Sequence, residues 1–242
     1  MRYIQKGDDA AASIREFIAV QMSQEIPVNL DYEQGFGRKA QLLKELIAEQ
    51  FGLCAYTGLP VDVRLDEYNS DKLRNRGVDY RAHNEHIKSQ TDCKREALAA
   101  GKSWGCEPCE DIDHRNIVAA VEVRGATSEQ FGAVSRTHQP VPLPPTDSGC
   151  ETEYAYSLEG VVSGTSTDSS ETIDLLKLNH DSLKGYRRSW VSVFLSLDAW
   201  ESNEDLSQII DRVKTPIDGK LTKFSFCIAS AASQILAGLE AT

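Results

Sequence analysis

The pattern of apolar residues changes twice along this chain, and these changes constrain its fold more than any other feature. Apolar residues recur at helical spacing over about 9–22 and 36–51, and again over most of 171–239. Between them, residues 53–125 form short β-capable pieces separated by polar stretches. Helical ends around a strand-containing middle predict an α+β fold with a small sheet, and a sheet of six or more strands is not expected.

Proline density marks the end of the middle region. Half of the eight prolines lie within residues 139–145, a polyproline-like connector that predicts a boundary or a strap along the surface. We therefore predict a helical segment at 1–52, a core with its strap at 53–150, and a hairpin and helical region at 151–242. In the last region the hairpin is predicted at 153–162, a polar loop at 163–170, and helices near 171–178, 181–200, 205–213 and 221–239.

The composition is that of a soluble protein with a real core. Hydrophobic residues make up 40% of the 242 residues, and no apolar run approaches the roughly 20 residues that span a bilayer. Neither a secretory signal nor a transit peptide is recognisable, so we expect a cytoplasmic protein with no membrane partner. The 37 acidic and 26 basic residues give a net charge of −11, which disfavours unaided binding to nucleic acid.

Two stretches in the middle region suit phosphodiester chemistry, AHNEHI at 82–87 and DHRNIV at 113–118. On an extended segment, Glu85 and His86 point to opposite faces. The carboxylate can then hold a hard cation while the histidine deprotonates a water. Asn116, arriving from a second strand, can fix the imidazole tautomer or complete the oxygen shell of the ion. An isolated Glu-His pair is also common on ordinary surface strands.

The surroundings of this pair carry a resemblance. The sequence LCAYTG precedes it at 53–58, and NIVAA follows it at 116–120. Here the chain resembles the HNH endonucleases, whose ββα-metal site combines a cysteine knuckle, an acidic residue beside the catalytic histidine, an asparagine before apolar residues, and a helix. Over nearly its whole length it is similar to the HNH subunit of Septu-type anti-phage defence systems, which also occurs as an effector of some retrons. That wider similarity lies in residues 1–7, the prolines before 149–151, the hairpin at 156–160, and 178–183 with Arg187.

The resemblance implies an HNH ββα-metal core within a mainly helical protein, and it assigns roles one residue at a time. His86 becomes the general base, Glu85 a ligand of a divalent ion such as Mg²⁺ or Mn²⁺, and Asn116 the residue that orients the base or supports the ion. His83 lies on the same strand face as Glu85 and can approach the same cation, although a histidine there is more often structural. The last metal ligand has no fixed register, with Glu122, Glu129 and His138 as candidates.

A structural zinc is doubtful in this chain. Relatives with an intact knuckle have two CxxC pairs, whereas this sequence has Cys54 with Thr57, and Val121 with Arg124. Three of the four ligand positions are therefore lost. A separate CxxC at 106–109 is weak support for a displaced zinc site or a redox pair.

Two basic clusters suit phosphate binding. One combines Lys88 with Lys94 and Arg95, and the other combines Lys184, Arg187 and Arg188. We predict that Lys88 and Arg187 contact nucleic acid, although clusters of this kind usually form solvated helix faces.

These residues lead to two principal functions. The resemblance implies a metal-dependent HNH endonuclease, the effector of an anti-phage complex, which acts on DNA or tRNA beside an ATPase of the ABC/SMC type. In the retron setting, a reverse transcriptase and its DNA product serve as the sensor. A catalytically inactive adaptor that binds the ATPase is the alternative. The broken knuckle favours the adaptor, whereas the retention of Glu85, His86 and Asn116 together favours the enzyme. A zinc or redox protein built on Cys106 and Cys109 ranks behind both.

Overall fold

The protein is mixed α/β, and helices outweigh strands. A computed structural model describes residues 1–7, 9–24, 28–70, 77–196, 200 and 202–240. Of these described residues, 48% are helical and 12% are in strands, which form two small antiparallel sheets, so the predicted combination of helices with a small sheet is confirmed. The helices are α1 (Ala12–Met22), α2 (Lys39–Glu49), α3 (Asp66–Asn69), α4 (Gln90–Ala99), α5 (Thr167–Leu175), α6 (Asp181–Leu195), α7 (Asn203–Lys214) and α8 (Ser225–Glu240).

A two-stranded antiparallel hairpin carries the stretch AHNEHI. Strand β1 (Asp79–His86) pairs with β2 (Ile117–Arg124) in a register that sets His86 opposite Ile117 and Glu85 opposite Val118. Strand β2 is rich in β-branched and small apolar residues and is buried along most of its length, whereas β1 is partly exposed. The inner strand β2 therefore fixes the position of β1 against the core.

The connection between these strands contains helix α4, which the apolar pattern does not predict. Only Cys93 and Ala97 of this helix are buried, so it lacks a helical apolar stripe. The helix begins after Ser89, whose hydroxyl accepts a hydrogen bond from the Asp92 backbone N–H at 3.1 Å. Serine is a preferred N-cap residue, so this start is encoded in the local sequence. The helix that follows the second strand in the implied ββα order is not found, since residues 125–153, all described, contain only 3₁₀ turns and irregular chain.

The second sheet joins the proline-rich strap to the C-terminal helices. Strand β3 (Tyr154–Tyr156) pairs with β4 (Val162–Gly164), which confirms the predicted hairpin. In its turn Gly160 has a φ of 77°, and an added Cβ would lie 2.4 Å from the Lys184 carbonyl oxygen. Glycine is thus required where this turn packs on α6.

Helix α5 corrects the predicted loop at 163–170. The helix begins at Thr167 because Ser166 and Ser169 form a capping box, in which each hydroxyl accepts from the other residue's backbone N–H. The predicted helix over 181–200 is found as α6 up to Leu195, and residues 197–199 lie outside the described part of the chain. Among the described residues, no helix is both long and apolar enough to cross a membrane.

One hydrophobic cluster draws on all three predicted regions. It includes Phe36 from the first, Tyr56 from the second and Phe226 from the third, each at most 6% exposed. Polar ties follow the same path: Lys6 donates to Glu49 at 2.6 Å and to the Ile117 carbonyl at 2.7 Å. His114 approaches the other Glu49 oxygen at 3.0 Å. The hairpin is thereby held against the N-terminal helices.

Candidate functional site

His86 lies at the end of β1 with its imidazole fixed from two sides. Its Nε2 lies 2.8 Å from the Asp111 carbonyl oxygen. Because a carbonyl only accepts, Nε2 carries the proton and the lone pair of the neutral ring is on Nδ1. The Tyr32 ring packs edge-on at 4.5 Å between centroids. Burial lowers the pKa of His86 below its usual range, so the ring is neutral at physiological pH.

The Nδ1 atom of His86 is the open side of this ring. Although His86 is only 7% exposed, its Nδ1 is not fully buried. No hydrogen bond within the described residues reaches this atom. An unprotonated ring nitrogen in contact with solvent can accept a proton from water. The geometry therefore suits the general-base role predicted for His86.

Asn116 makes no hydrogen bond to this imidazole in the described residues. Its Oδ1 accepts from the Lys88 backbone N–H at 2.8 Å, and its Nδ2 donates to the carbonyls of Lys88 and Glu110, both at 3.1 Å. The side chain thus fixes the main chain two residues beyond His86. Direct orientation of the ring, predicted for Asn116, is carried out by the Asp111 carbonyl instead.

Glu85 points to the opposite face of the strand from His86, as predicted, and its carboxylate is already paired. Nε of Arg136 donates to Oε1 at 2.8 Å, and Nη2 of Arg136 donates both to Oε1 and to the His86 carbonyl. The other oxygen, Oε2, lies 3.1 Å from Nε2 of His83. Burial alone would raise the pKa of Glu85, but the hydrogen bond from His83 and the charge of Arg136 outweigh it and leave the pKa below its usual value.

The two predicted metal ligands, His83 and Glu85, are therefore brought together, but they bind each other. Their imidazole nitrogen and carboxylate oxygen suit a divalent ion in chemical type. As arranged, they do not fit one, because both Glu85 oxygens have protein partners and Arg136, a residue that is 2% exposed, already supplies the positive charge. In the described residues, no group of three His, Cys, Asp or Glu side chains could hold a metal ion. Glu122, a candidate third ligand, pairs instead with Arg124 at 2.8 Å.

The positions of the lost zinc knuckle lie side by side. The Val121 backbone N–H donates to Sγ of Cys54 at 3.3 Å, and the Ala55 N–H donates to the Ala119 carbonyl at 3.1 Å. The segment that begins at Leu53 therefore contacts β2 where the resemblance pairs the two halves of the knuckle. In the separate CxxC, Cys106 is exposed and Cys109 is buried, and burial raises the pKa of the Cys109 thiol.

Lys88 lies near His86 with its charge already balanced. Its Nζ donates to Glu110 at 2.7 Å and also to Glu96. Burial is the largest single influence on its pKa and lowers it, but the hydrogen bonds and charges of the two carboxylates together outweigh burial and raise the pKa above the usual range. A phosphate at this position would compete with two carboxylates for one ammonium group.

Arg187, the second residue predicted to contact nucleic acid, is in the core. It is 2% exposed, its Nη2 donates to the Leu178 carbonyl, and its guanidinium carbon lies 5.4 Å from the Tyr156 ring centroid. The placement does not agree with the prediction, because a guanidinium sealed inside the C-terminal region cannot reach a phosphate.

Three residues of this site were not anticipated. Arg136 follows β2 and was given no role, since nothing in the sequence pairs it with Glu85 across 51 positions. Asp111 acts through its backbone carbonyl, which no side-chain pattern reveals, and its carboxylate also accepts from the Tyr32 N–H at 2.9 Å. Tyr32 lies between the helical stretches predicted at 9–22 and 36–51, outside every motif of the sequence.

No protein-family model matches this chain, and no curated protein matches it. A function is therefore inferred from its own residues and their geometry.

Proposed function

We propose that this chain is a nuclease subunit of the HNH kind in which His86 is the general base for hydrolysis of phosphodiester bonds. The observation that carries the proposal is the fixed tautomer of His86. Its Nε2 donates to a backbone carbonyl 2.8 Å away, while Nδ1 keeps contact with solvent. A ring held in this way presents a proton acceptor in one direction and cannot exchange the roles of its nitrogens without losing that bond.

A second observation supports the HNH resemblance independently of His86. The Cys54 segment and β2 lie in contact at the positions where the knuckle pairs would meet. The hairpin also brings Asn116 beside the end of β1, where it fixes the main chain after His86. The arrangement of these parts agrees with what the resemblance implies, although the zinc ligands themselves are missing.

The acidic balance supports a role within an assembly. A net charge of −11 gives weak intrinsic attraction to nucleic acid, and Lys88 is neutralised by two carboxylates. A basic partner would supply the missing contacts. We propose that this partner is an ATPase of the ABC/SMC type, joined in a retron setting by a reverse transcriptase and its DNA product, and that the complex cleaves DNA or tRNA.

Cleavage of supercoiled plasmid and of tRNA tests this function. The full chain is assayed alone and with the proposed ATPase partner, in Mg²⁺, in Mn²⁺ and in EDTA. We expect His86→Gln to lose about 10²- to 10⁴-fold in rate, because a proton acceptor is removed while a donor to the Asp111 carbonyl is retained. Arg81→Gln is the matched control, since Arg81 is exposed on the same strand. Equal activity of wild type and His86→Gln would contradict the proposal.

The inactive adaptor is the second candidate, and the Arg136 contact favours it. A buried guanidinium on both Glu85 and the His86 carbonyl leaves the predicted metal ligand closed. The absence of a helix between residue 125 and β3, all of it described, also removes the element from which a further ligand would come. Such a chain keeps the shape of the hairpin as a binding module for the ATPase.

Binding and cleavage separate the two candidates. If the chain is an adaptor, wild type and His86→Gln bind the ATPase with equal affinity, and neither complex cleaves nucleic acid at any concentration of Mg²⁺ or Mn²⁺. Metal-dependent cleavage by the wild-type complex, absent in His86→Gln with binding intact, excludes the adaptor.

A further inference from the structure

A cleft of about 800 Å³ lies between the N-terminal segment, residues 148–155 and helix α8. None of its lining residues belongs to β1 or β2, the strands of the candidate site. This volume falls within the range of about 300–1,000 Å³ that is typical of small-molecule sites. The residues that give it its chemical character are Arg2, Glu151, Lys214, Leu221, Phe226 and Ala237.

Arg2 is the distinctive residue of this cleft. Its guanidinium carbon lies 4.8 Å from the Phe51 ring centroid, and the side chain is half-buried. Within the described residues, the guanidinium makes no hydrogen bond and no ion pair. A partly desolvated arginine usually has a carboxylate or carbonyl partner, because its five N–H donors are costly to leave unmet. Here they remain available to a molecule in the cleft.

The main chain holds Arg2 in place before any ligand arrives. The Met1 side chain before it is 1% exposed, and Ile4 after it is 4% exposed. The Ile4 N–H donates to the Pro145 carbonyl at 2.7 Å, which ties the segment to the proline-rich strap. A guanidinium presented from a fixed backbone and stacked on a ring loses less freedom on binding than a free surface arginine.

The charge of the cleft is opposite to that of the chain. Its charged lining consists of Arg2 and Lys214 against Glu151, in a chain whose net charge is −11. Neither cation lies within ion-pair distance of a carboxylate in the described residues, and Glu151 acts on Arg2 only at longer range, where its charge raises the pKa of Arg2 against the larger, lowering effect of burial. The rest of the lining includes the apolar groups of Leu221 and Phe226 together with serine hydroxyls of α8.

We propose that this cleft binds a small molecule that carries an anionic group, phosphate or carboxylate, on an apolar body. The anion pairs with Arg2, whose planar fork matches two oxygens of such a group, and Lys214 adds a second positive charge. The apolar body lies against Leu221 and Phe226. This site shares no residue with the β1–β2 hairpin, so its test is independent of the proposed nuclease activity.

The test is a titration of the full chain with phenyl phosphate, followed by isothermal calorimetry. We expect saturable binding at millimolar concentration that weakens about tenfold or more in Arg2→Gln, since a charge-assisted pair is lost. Arg212→Gln is the matched control, because it removes one positive charge from an exposed position of α7 outside the cleft, and it should bind as wild type does. Inorganic phosphate should bind more weakly than phenyl phosphate, and benzoate in a parallel titration identifies whether phosphate or carboxylate is preferred.

A second variant keeps the test decisive if Arg2→Gln folds poorly. Ala237→Trp fills the cleft from an exposed position of α8 and should abolish binding while Arg2 remains. No saturable binding of phenyl phosphate or benzoate to the wild-type chain, or equal weakening by Arg2→Gln and Arg212→Gln, would overturn the site.

Discussion

Arg136 and Arg187 are both 2% exposed, but their surroundings differ. Arg136 sits against the hairpin and meets a carboxylate, Glu85, as well as two backbone carbonyls. Arg187 sits among the C-terminal helices and meets one carbonyl and the face of Tyr156, while its Nε has no partner. No carboxylate within the described residues pairs with Arg187.

The difference shows what a buried charge does in each region. Removing one member of a buried pair leaves the other uncompensated, whereas a lone buried cation mainly carries the cost of its own desolvation. Arg136 therefore fixes the geometry of Glu85 and His86, and the hairpin depends on it. Arg187 fills space in the core and donates to one carbonyl, so an apolar side chain of similar length can replace much of its contribution to stability.

The largest effect is expected for Arg136→Met. Glu85 then keeps a buried negative charge without its guanidinium, and the His86 carbonyl loses a donor. The free energy of unfolding in urea should fall by about 3–5 kcal/mol. A loss below that of an ordinary surface substitution would show that Glu85 finds another partner.

The double variant Glu85→Gln/Arg136→Met sharpens this result. Because the uncompensated charge is gone, the pair of changes should cost less than the sum of the two single changes, with a coupling of about 2 kcal/mol measured from the four unfolding curves. Additive losses would mean that the two residues contribute separately.

Glu49 extends the comparison to a carboxylate with two cationic partners. Burial would raise its pKa, but His114 and Lys6 outweigh burial and hold the pKa below its ordinary value of 4.5. A carboxyl whose pKa is lower in the folded state contributes stability above the unfolded pKa and loses it as pH falls through the folded pKa. Glu49→Gln should therefore cost roughly 1.5–3 kcal/mol at pH 7. The difference in the free energy of unfolding between wild type and Glu49→Gln should become smaller below pH 4.5. A gap that does not change with pH would contradict this role.

The smallest effect is expected for Arg187→Met. The lost hydrogen bond to Leu178 and the contact with Tyr156 are offset by removal of a desolvated charge, so stability should change by no more than about 1 kcal/mol. Arg188→Met, at the exposed neighbouring position, serves as the control. A loss of stability as large as that of Arg136→Met would contradict this prediction, because it would show that Arg187 stabilises the fold as much as Arg136 does.

The sequence by itself determined the elements whose pattern is local. Apolar spacing and turn residues over a few positions predict helix α2 and the β3–β4 hairpin. They also predict the extended strand on which Glu85 and His86 point to opposite faces. The start of α4 was also encoded locally, in Ser89 and Asp92, but its two buried residues gave no periodicity to reveal it. Local backbone preferences explain each of these elements without reference to distant contacts.

Tertiary structure alone decided the partners that lie far apart in the sequence. Arg136 reaches Glu85 across 51 positions, and the Asp111 carbonyl fixes a ring 25 positions away. Helical spacing already places Arg187 on the buried face of α6 with Leu183 and Val191, but only packing determined that it meets the Leu178 carbonyl and the Tyr156 ring. Burial, hydrogen bonding and pKa depend on distances that arise only when separate segments pack together, and a residue's type specifies what it can bind but not which group it meets. For this reason the sequence identified His86 and Glu85, while the folded chain determined that one keeps an open nitrogen and the other is held by a guanidinium.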